Sequence, residues 1–518
     1  MHPSAYDPVS LGGTMKMKEY IPVKLEPLSP VHIGSGQELD PFSYIIREDA
    51  AGTPFLYFID VTAWIESQDD PKALTNYFAT HGFADVRKFL YERIEDPSRY
   101  ALAIIPVMDK KIAETYKRVI LDKRPENRML LDPALKNPVT YGLIIPGSSL
   151  KGAIRTAILD YLYIKHDKNL KEKREKFGPL DREIFGTPKE STFKALKISD
   201  FEAPPGEAFI VSAKEKSKNE TKQPTPKDNC EITHSFLMNK TPYGLYGTLV
   251  LGFQNQGQGK LVVKRFKESF DFERLCAVVT DFYKKRFMDE WKKFYTLPHF
   301  KKTAEALAPL REMIEKKSEW NHAMLLRVGH YSHIESVTIS NNRPRTRKRK
   351  DGQGFYPYGT TRTLANGVFP FGWVRLVRIT EEEYRQGMEG LEKRKGEVLE
   401  ARTRTERELQ VAKETAEAER RRREEERRRK EEEKKKAKEA FEALPEYQKR
   451  VLKIQDDKTA DNLVMTYYRE LDQFEGEEKR AIASALKERW MKEGRWKVAK
   501  KKKQYEKVQT VKEILGEV

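Results

Sequence analysis

The first apolar run of the chain, Ile21–Leu25 (IPVKL), is extended and leads through Pro27 and Pro30 into a loop holding Gly34-Ser35-Gly36; Tyr44–Ile46 forms a second short strand. After another short apolar strand ending at Pro146-Gly147, the period changes. Leu150, Ala153, Ile154, Ala157, Ile158 and Tyr161 recur at helical spacing, with Ser148 or Ser149 offering an N-cap. Strand-like and helical pieces alternate in this way up to about residue 380, including a strand over Leu196–Asp200 and an aromatic-rich core helix in FDFERLCAVVTDFYKKRFMDEWKKFY. The polar stretch Ala213–Asn229 reads as a disordered loop. From Arg420 to Lys436 every residue is charged, eleven basic and six acidic. No apolar seam runs through it, so it predicts a solvated single helix in which Glu424, Glu425 and Glu426 face Arg428, Arg429 and Lys430. Beyond it, YQKRVLKI, LVMTYYREL and KRAIASALKERW are short amphipathic helices ahead of a basic tail.

Composition narrows the class. The 518 residues correspond to about three domains at roughly 150 residues each. Lys and Arg number 98 against 80 Asp and Glu, a net charge of +18, which favours a polyanionic partner. With 38% hydrophobic residues a packed core is expected, which excludes wholesale disorder. Cys230 and Cys276 are far apart and have neither disulfide-scaffold nor zinc-ligand spacing. No run reaches the roughly 18 apolar residues needed to span a bilayer, and the first twenty residues lack an apolar signal core. The expectation is a cytoplasmic protein that meets nucleic acid rather than membrane.

Three places carry candidate chemistry. Gly34-Ser35-Gly36 lets a ligand approach the backbone, but Leu39 stands where a dinucleotide loop needs its third glycine. His32 beside it is either a hydrogen-bonded loop histidine or a catalyst. In the second stretch, Gly147, Ser148 and Ser149 open a helix on which Lys151 and Arg155 share a face at i,i+4. This is either an anion-binding helix start or a turn before an ordinary amphipathic helix. No G-K-[ST] follows Gly147, so a phosphodiester fits better than ATP. The third is Arg343–Lys350 (RPRTRKRK), where Arg343, Arg345, Arg347, Lys348 and Arg349 have no acidic residue among them, the pattern of a phosphate-contacting loop. Neither metal-ligand spacing nor a nucleophile motif is present, and no metal or cofactor is expected.

Together, LSPVHIGSGQELDPFSYII and IPGSSLKGAIRTAIL resemble the two signature segments of the RAMP superfamily, RNA-binding subunits of CRISPR effector complexes. Ile184-Phe185-Gly186, LKISD and the late block with LLRVGHYSHIES, PRTRKRK and PFGWVRL are similar to the fifth-subunit branch of the type III-A Csm complexes. The resemblance implies an α+β fold of two ferredoxin-like (RRM-like) RAMP modules, at 21–205 with a helical insertion and at 206–380 with the basic loop. A flexible N-terminus (1–20), a charged single helix (381–443) and a helical C-terminal region (444–518) complete the expected organisation. It further implies a non-catalytic subunit that caps the crRNA 3′ end and assists crRNA maturation. Its partners would be crRNA, target RNA, other RAMP backbone subunits and a maturation nuclease. Ser148, Ser149, Lys151 and Arg155 would hold crRNA phosphates, with His32, Gly34, Ser35, Gly36 and Gly147 along the same path. His330 would stack on or hydrogen-bond to bases. The late motif VGHYSH carries one glycine where the family often has more. The alternative is a RAMP ribonuclease that cuts RNA with the loop aspartate Asp40, or His32; Asp40 also suits a loop-capping role.

Overall fold

The computed structural model describes residues 19–121, 129–171, 177–219, 224–240, 243–252, 259–340, 359–499 and 503–517. The chain is a mixed α/β protein divided into two compact units, Met1–Lys413 and Glu414–Val518. The first unit opens with β1 (Glu19–Pro27), followed by an antiparallel meander of β2 (Tyr44–Glu48), β3 (Pro54–Ile59) and β4 (Ala101–Pro106). Next come β5 (Leu131–Asp132), α1 (Gly147–His166), α2 (Phe177–Phe185), β6 (Lys197–Ile198), β7 (Ala208–Ser217), β8 (Thr225–Thr233) and β9 (Leu245–Leu251). The unit continues with α3 (Phe272–Glu290), α4 (Lys301–Glu315), β10 (Ala323–Arg327), β11 (Thr361–Ala365), β12 (Phe369–Pro370) and β13 (Trp373–Arg378).

Two five-stranded sheets organise this unit. One is antiparallel throughout in the order β10-β13-β1-β9-β6; the other runs β12-β11-β7-β8-β5. Both take strands from either side of residue 205. β1 lies inside the first sheet because its alternation fits there. Ile21, Val23 and Leu25 are fully buried, while Lys24 reaches Glu26 at 3.2 Å and Glu383 at 2.8 Å. α3 covers β10 with Leu275, Val279, Tyr283 and Phe287, and α1 packs on α3 through the apolar face read from its sequence.

The segment Ala213–Asn229 departs from its predicted loop. β7 continues through Ser217 and β8 begins at Thr225, paired from Thr225↔Glu215 to Thr233↔Ala208. Sheet pairing outweighs polarity here because the lysines find partners. Lys214 meets Asp109 at 2.6 Å, and the Lys216 ammonium lies 4.7 Å above the Phe300 ring.

The charged segment belongs to α5 (Glu381–Ala443). Its first half is held to the first unit by Lys395–Glu202 and Arg394–Glu207, both 2.8 Å, and by Lys413–Glu66 at 2.9 Å. Of the Glu-first pairs expected farther along, Glu426–Lys430 closes at 2.7 Å, whereas Arg427–Glu431 and Arg429–Glu433 close in the reverse sense. The second unit adds α6 (Glu446–Gln455), α7 (Asp461–Arg469), α8 (Gly476–Lys492) and α9 (Lys503–Leu515) around Ile454, Val464, Ile482, Leu486, Trp490 and Val511. No helix among the described residues is long and apolar enough to cross a membrane.

A buried ion cluster joins the two sheets of the first unit. Glu290 at the end of α3 takes Arg327 of β10 at 2.7 Å and Arg362 of β11 at 2.6 Å, and Arg362 reaches Glu335 at 3.1 Å. Burial alone would raise the Glu290 carboxyl, but the two guanidinium groups hold it down at about 2. His333 beside them is pushed down to about 3, first by burial and then by Arg362 and Arg327; its Nε2 accepts from the Thr363 amide at 3.2 Å, as a neutral ring must. Glu290→Gln should therefore cost about 3–5 kcal/mol, because two buried guanidinium groups lose their shared carboxylate. The His333 ring binds its proton more weakly folded than unfolded, so stability is lost as pH falls from 6.5 toward 3. Urea melts between pH 7 and pH 5 check this: wild type should lose stability on acidification, and His333→Gln should flatten the dependence.

Candidate nucleic-acid interface

The loop from Leu28 to Asp40 leaves β1 and is fixed on three sides. The Leu28 and Ser29 amides donate to the Trp373 carbonyl at 2.9 and 3.1 Å, and Gly372 donates to Pro30 at 2.8 Å. Farther along, Ser35 donates to Pro133 at 3.0 Å and Leu39 to Leu131 at 2.8 Å. Between these anchors Gly34, Ser35 and Gly36 remain exposed, with Gly36 in the left-handed region at φ 79°. His32 lies beneath them and is 2% exposed. Its Nδ1 donates to the Glu231 carbonyl at 2.7 Å, leaving Nε2 as an acceptor on the side facing Gly34. Burial lowers its pKa, so the ring is neutral at pH 7.

The late motif docks on this loop. His330 donates its amide to the His32 carbonyl at 2.8 Å, and a Cβ on Gly329 would stand 2.5 Å from that same oxygen. A glycine is required there twice over, by this approach and by its φ of 85°. The motif is strained beyond it: Tyr331 and His333 hold φ of 60° and 62°. His330 is exposed, and its ring centroid stands 6.1 Å from His32 and 4.1 Å from Tyr331. The Tyr331 hydroxyl donates to Asp228 at 2.7 Å, under the Lys227 ammonium at 5.2 Å from the ring. Thus His32, Gly34, Ser35, Gly36 and His330 come together from two distant parts of the chain. Tyr331 and Lys227 join them; the aromatic next to His330 was visible in the sequence, whereas Lys227 lay inside a stretch read as loop.

The second segment faces different neighbours. α1 begins at Gly147, with Pro146 rather than a serine as its cap, because Asp200 accepts the Gly147 amide at 2.8 Å and satisfies it. A Cβ at Gly147 would stand 2.2 Å from the Ile198 carbonyl, so the helix start is seated directly on β6. Ser148 is exposed and Ser149 half-buried. Lys151 donates to the Leu196 carbonyl at 2.8 Å; burial, then Lys197 and Arg155, lower its pKa. Arg155 makes a bidentate pair with Asp181 at 2.6 and 2.7 Å between the Phe185 and Phe193 rings. Asp40 spends one carboxylate oxygen on the Phe42 amide at 2.8 Å, an Asx turn. Arg343, Arg345, Arg347, Lys348 and Arg349 lie outside the described residues. Among those described, no group of three or more His, Cys, Asp or Glu side chains could hold a metal ion.

The family model of the RAMP superfamily matches residues 24–476. The CRISPR system Cms protein Csm5 of Methanocaldococcus jannaschii is 27% identical over 194 residues, 34% of this chain and 42% of that protein, so the chain spans about two-fifths of the length of this curated relative. A chain of the Csm–crRNA–target RNA ternary complex of a type III-A CRISPR-Cas system aligns with TM-score 0.42 and 20% identity, covering 70% of this chain and 100% of that one. The crystal structure of T. onnurineus Csm5 aligns with TM-score 0.44 and 17% identity over 68% and 99% of the two chains. With the model match covering most of its length, the chain belongs to the RAMP superfamily.

Proposed function

We propose that this chain is a crRNA-binding subunit of a type III CRISPR effector complex, sitting at the crRNA 3′ end of the filament and having no active site of its own. The observation that carries the reading is the convergence of the exposed Gly34–Gly36 backbone and exposed His330 over the buried, neutral His32. Glycine backbone without side chains admits a sugar–phosphate strand, and an exposed imidazole offers a stacking or hydrogen-bonding surface to a base. Ser148, Ser149, Lys151 and Arg155 supply phosphate contacts along α1 in this reading, with Arg155 oriented by Asp181. The basic run Arg343–Lys350 adds further contacts. In this reading 21–205 and 206–380 contribute two ferredoxin-like RAMP modules whose five-stranded sheets exchange strands across residue 205, and 381–518 is an added charged helix and helical region. Other RAMP backbone subunits, target RNA and a maturation nuclease are the partners, in the cytoplasm.

Support for a binding role over a catalytic one comes from Asp40, one oxygen of which is held in its Asx turn, and from the buried His32. Labelled crRNA and target RNA incubated with the protein, with and without divalent metal, should stay intact; cleavage abolished by Asp40→Ala would establish the ribonuclease instead. For the α1 contacts, Lys151→Ala with Arg155→Ala should reduce the slope of log affinity against log salt by about 1.4, two phosphate contacts on a single strand. Asp181→Asn, which keeps both cations, should leave the slope unchanged.

A further inference from the structure

Lys216 stands in register opposite Arg362 on the neighbouring strand, so two like charges share one face of an antiparallel pair. Two residues on, the Lys218 ammonium lies 4.7 Å from the Phe294 ring centroid, and the Arg362 guanidinium lies 3.8 Å from the same centroid. Arg362 is neutralised by Glu290 and Glu335. The lysines are not. Among the described residues, Lys216, Lys218 and Lys302 of α4 have no carboxylate within 4 Å. Burial and then Lys302 lower the pKa of Lys216; burial, then Arg362 and Lys293, lower that of Lys218 against an opposing pull from Glu335. Among the described residues these lysines thus gather with no carboxylate in direct contact.

Two further observations concern the ground beside them. After Glu290, α3 passes into a π-helical turn, Trp291–Tyr295, which buries Phe294 and Tyr295 and leaves Lys292 exposed and Lys293 half-buried. Such turns occur mostly as single insertions, frequently at functional sites. Next to the turn is a cavity of about 520 Å³ whose lining carries seven Lys and Arg, Lys284 and Lys292 among them, against the four carboxylates Asp281, Asp289, Glu290 and Glu335. Arg327 and Arg362 are buried and paired with Glu290, so the cations this ground presents to a ligand include the half-buried Lys284 and the exposed Lys292.

The chemistry of the ligand follows from what is absent as well as what is present. Phe294 and Phe300 are fully buried, so no base can stack on them, and what this face offers is charge alone. That selects the phosphodiester backbone over the bases. We propose that Lys216, Lys218 and Lys302, with the cavity at the π-helical turn, form a sequence-independent binding surface for the phosphate backbone of an RNA strand. The surface uses none of the residues in the proposed crRNA path, and it stands or falls separately from that reading.

The test uses the full chain and a fluorescein-labelled, unstructured RNA of mixed sequence, followed by anisotropy from about 50 to 200 mM salt. Substituting Lys216→Gln, Lys218→Gln and Lys302→Gln together should lower the salt slope by about 2, so that the gap from wild type shrinks roughly 20-fold across that range. Lys218→Glu is the second variant. It sets a carboxylate beside Arg362 and Lys293, and should raise the melting temperature without RNA while weakening RNA binding, a pairing that mere structural damage would not produce. A second arm repeats the measurements with a guide–target duplex. Loss with the single strand alone assigns the surface to an unpaired guide or target segment, and loss with both assigns it to the duplex backbone. An unchanged salt slope in both arms, with the triple variant folded, overturns the proposal. If the α1 variants alter the slope while these do not, the crRNA path survives and this surface fails.

Discussion

The first unit depends on one buried carboxylate. Glu290 stands at the end of α3 and is shared by Arg327, from the first five-stranded sheet, and Arg362, from the second. Removing three charges from water carries a penalty that only close and multiple pairing offsets, so the cluster tolerates little relative movement of the three elements. It thereby fixes the angle at which β10 delivers the late motif. Gly329 follows Arg327 by two residues and is brought to within contact of the His32 carbonyl. The positive φ values of Tyr331 and His333 are sustained by the same surroundings, since such backbone costs of order 1–3 kcal/mol each.

Between them, this anchor and the glycines set the geometry of the candidate interface. Of its ionisable groups, His32 is buried and neutral and Asp40 holds the Phe42 amide with one oxygen, while His330 is exposed. General acid–base catalysis needs a group that can exchange its proton near neutral pH within reach of a reacting atom. What stands exposed is glycine backbone, Ser35, Ser148 and His330.

Much of this was legible in the sequence where local rules govern. The apolar faces of β1 and α1 followed from periods of two and 3.6, and Gly147 marks a place where backbone packs against backbone while Gly34 and Gly36 leave backbone exposed. The start of α1 was misplaced because Asp200, more than fifty residues away, satisfies the Gly147 amide and makes a serine cap unnecessary. Ala213–Asn229 was read as loop because its lysines look solvated in one dimension; their partners, Asp109 and Phe300, come from elsewhere in the chain. For the same reason the Glu290 cluster left no sequence signal, as its four charges lie on separate elements with no characteristic spacing. Long-range electrostatics was invisible, and it decided both the junction of the sheets and the placement of the cationic surface.

Guide RNA binding by this chain, as proposed, is tested most directly by sequencing the RNA that co-purifies with it from its own cells. The expected molecules share one repeat-derived tag joined to many different guides, with ragged 3′ ends. A population of unrelated cellular fragments with no common tag would contradict it.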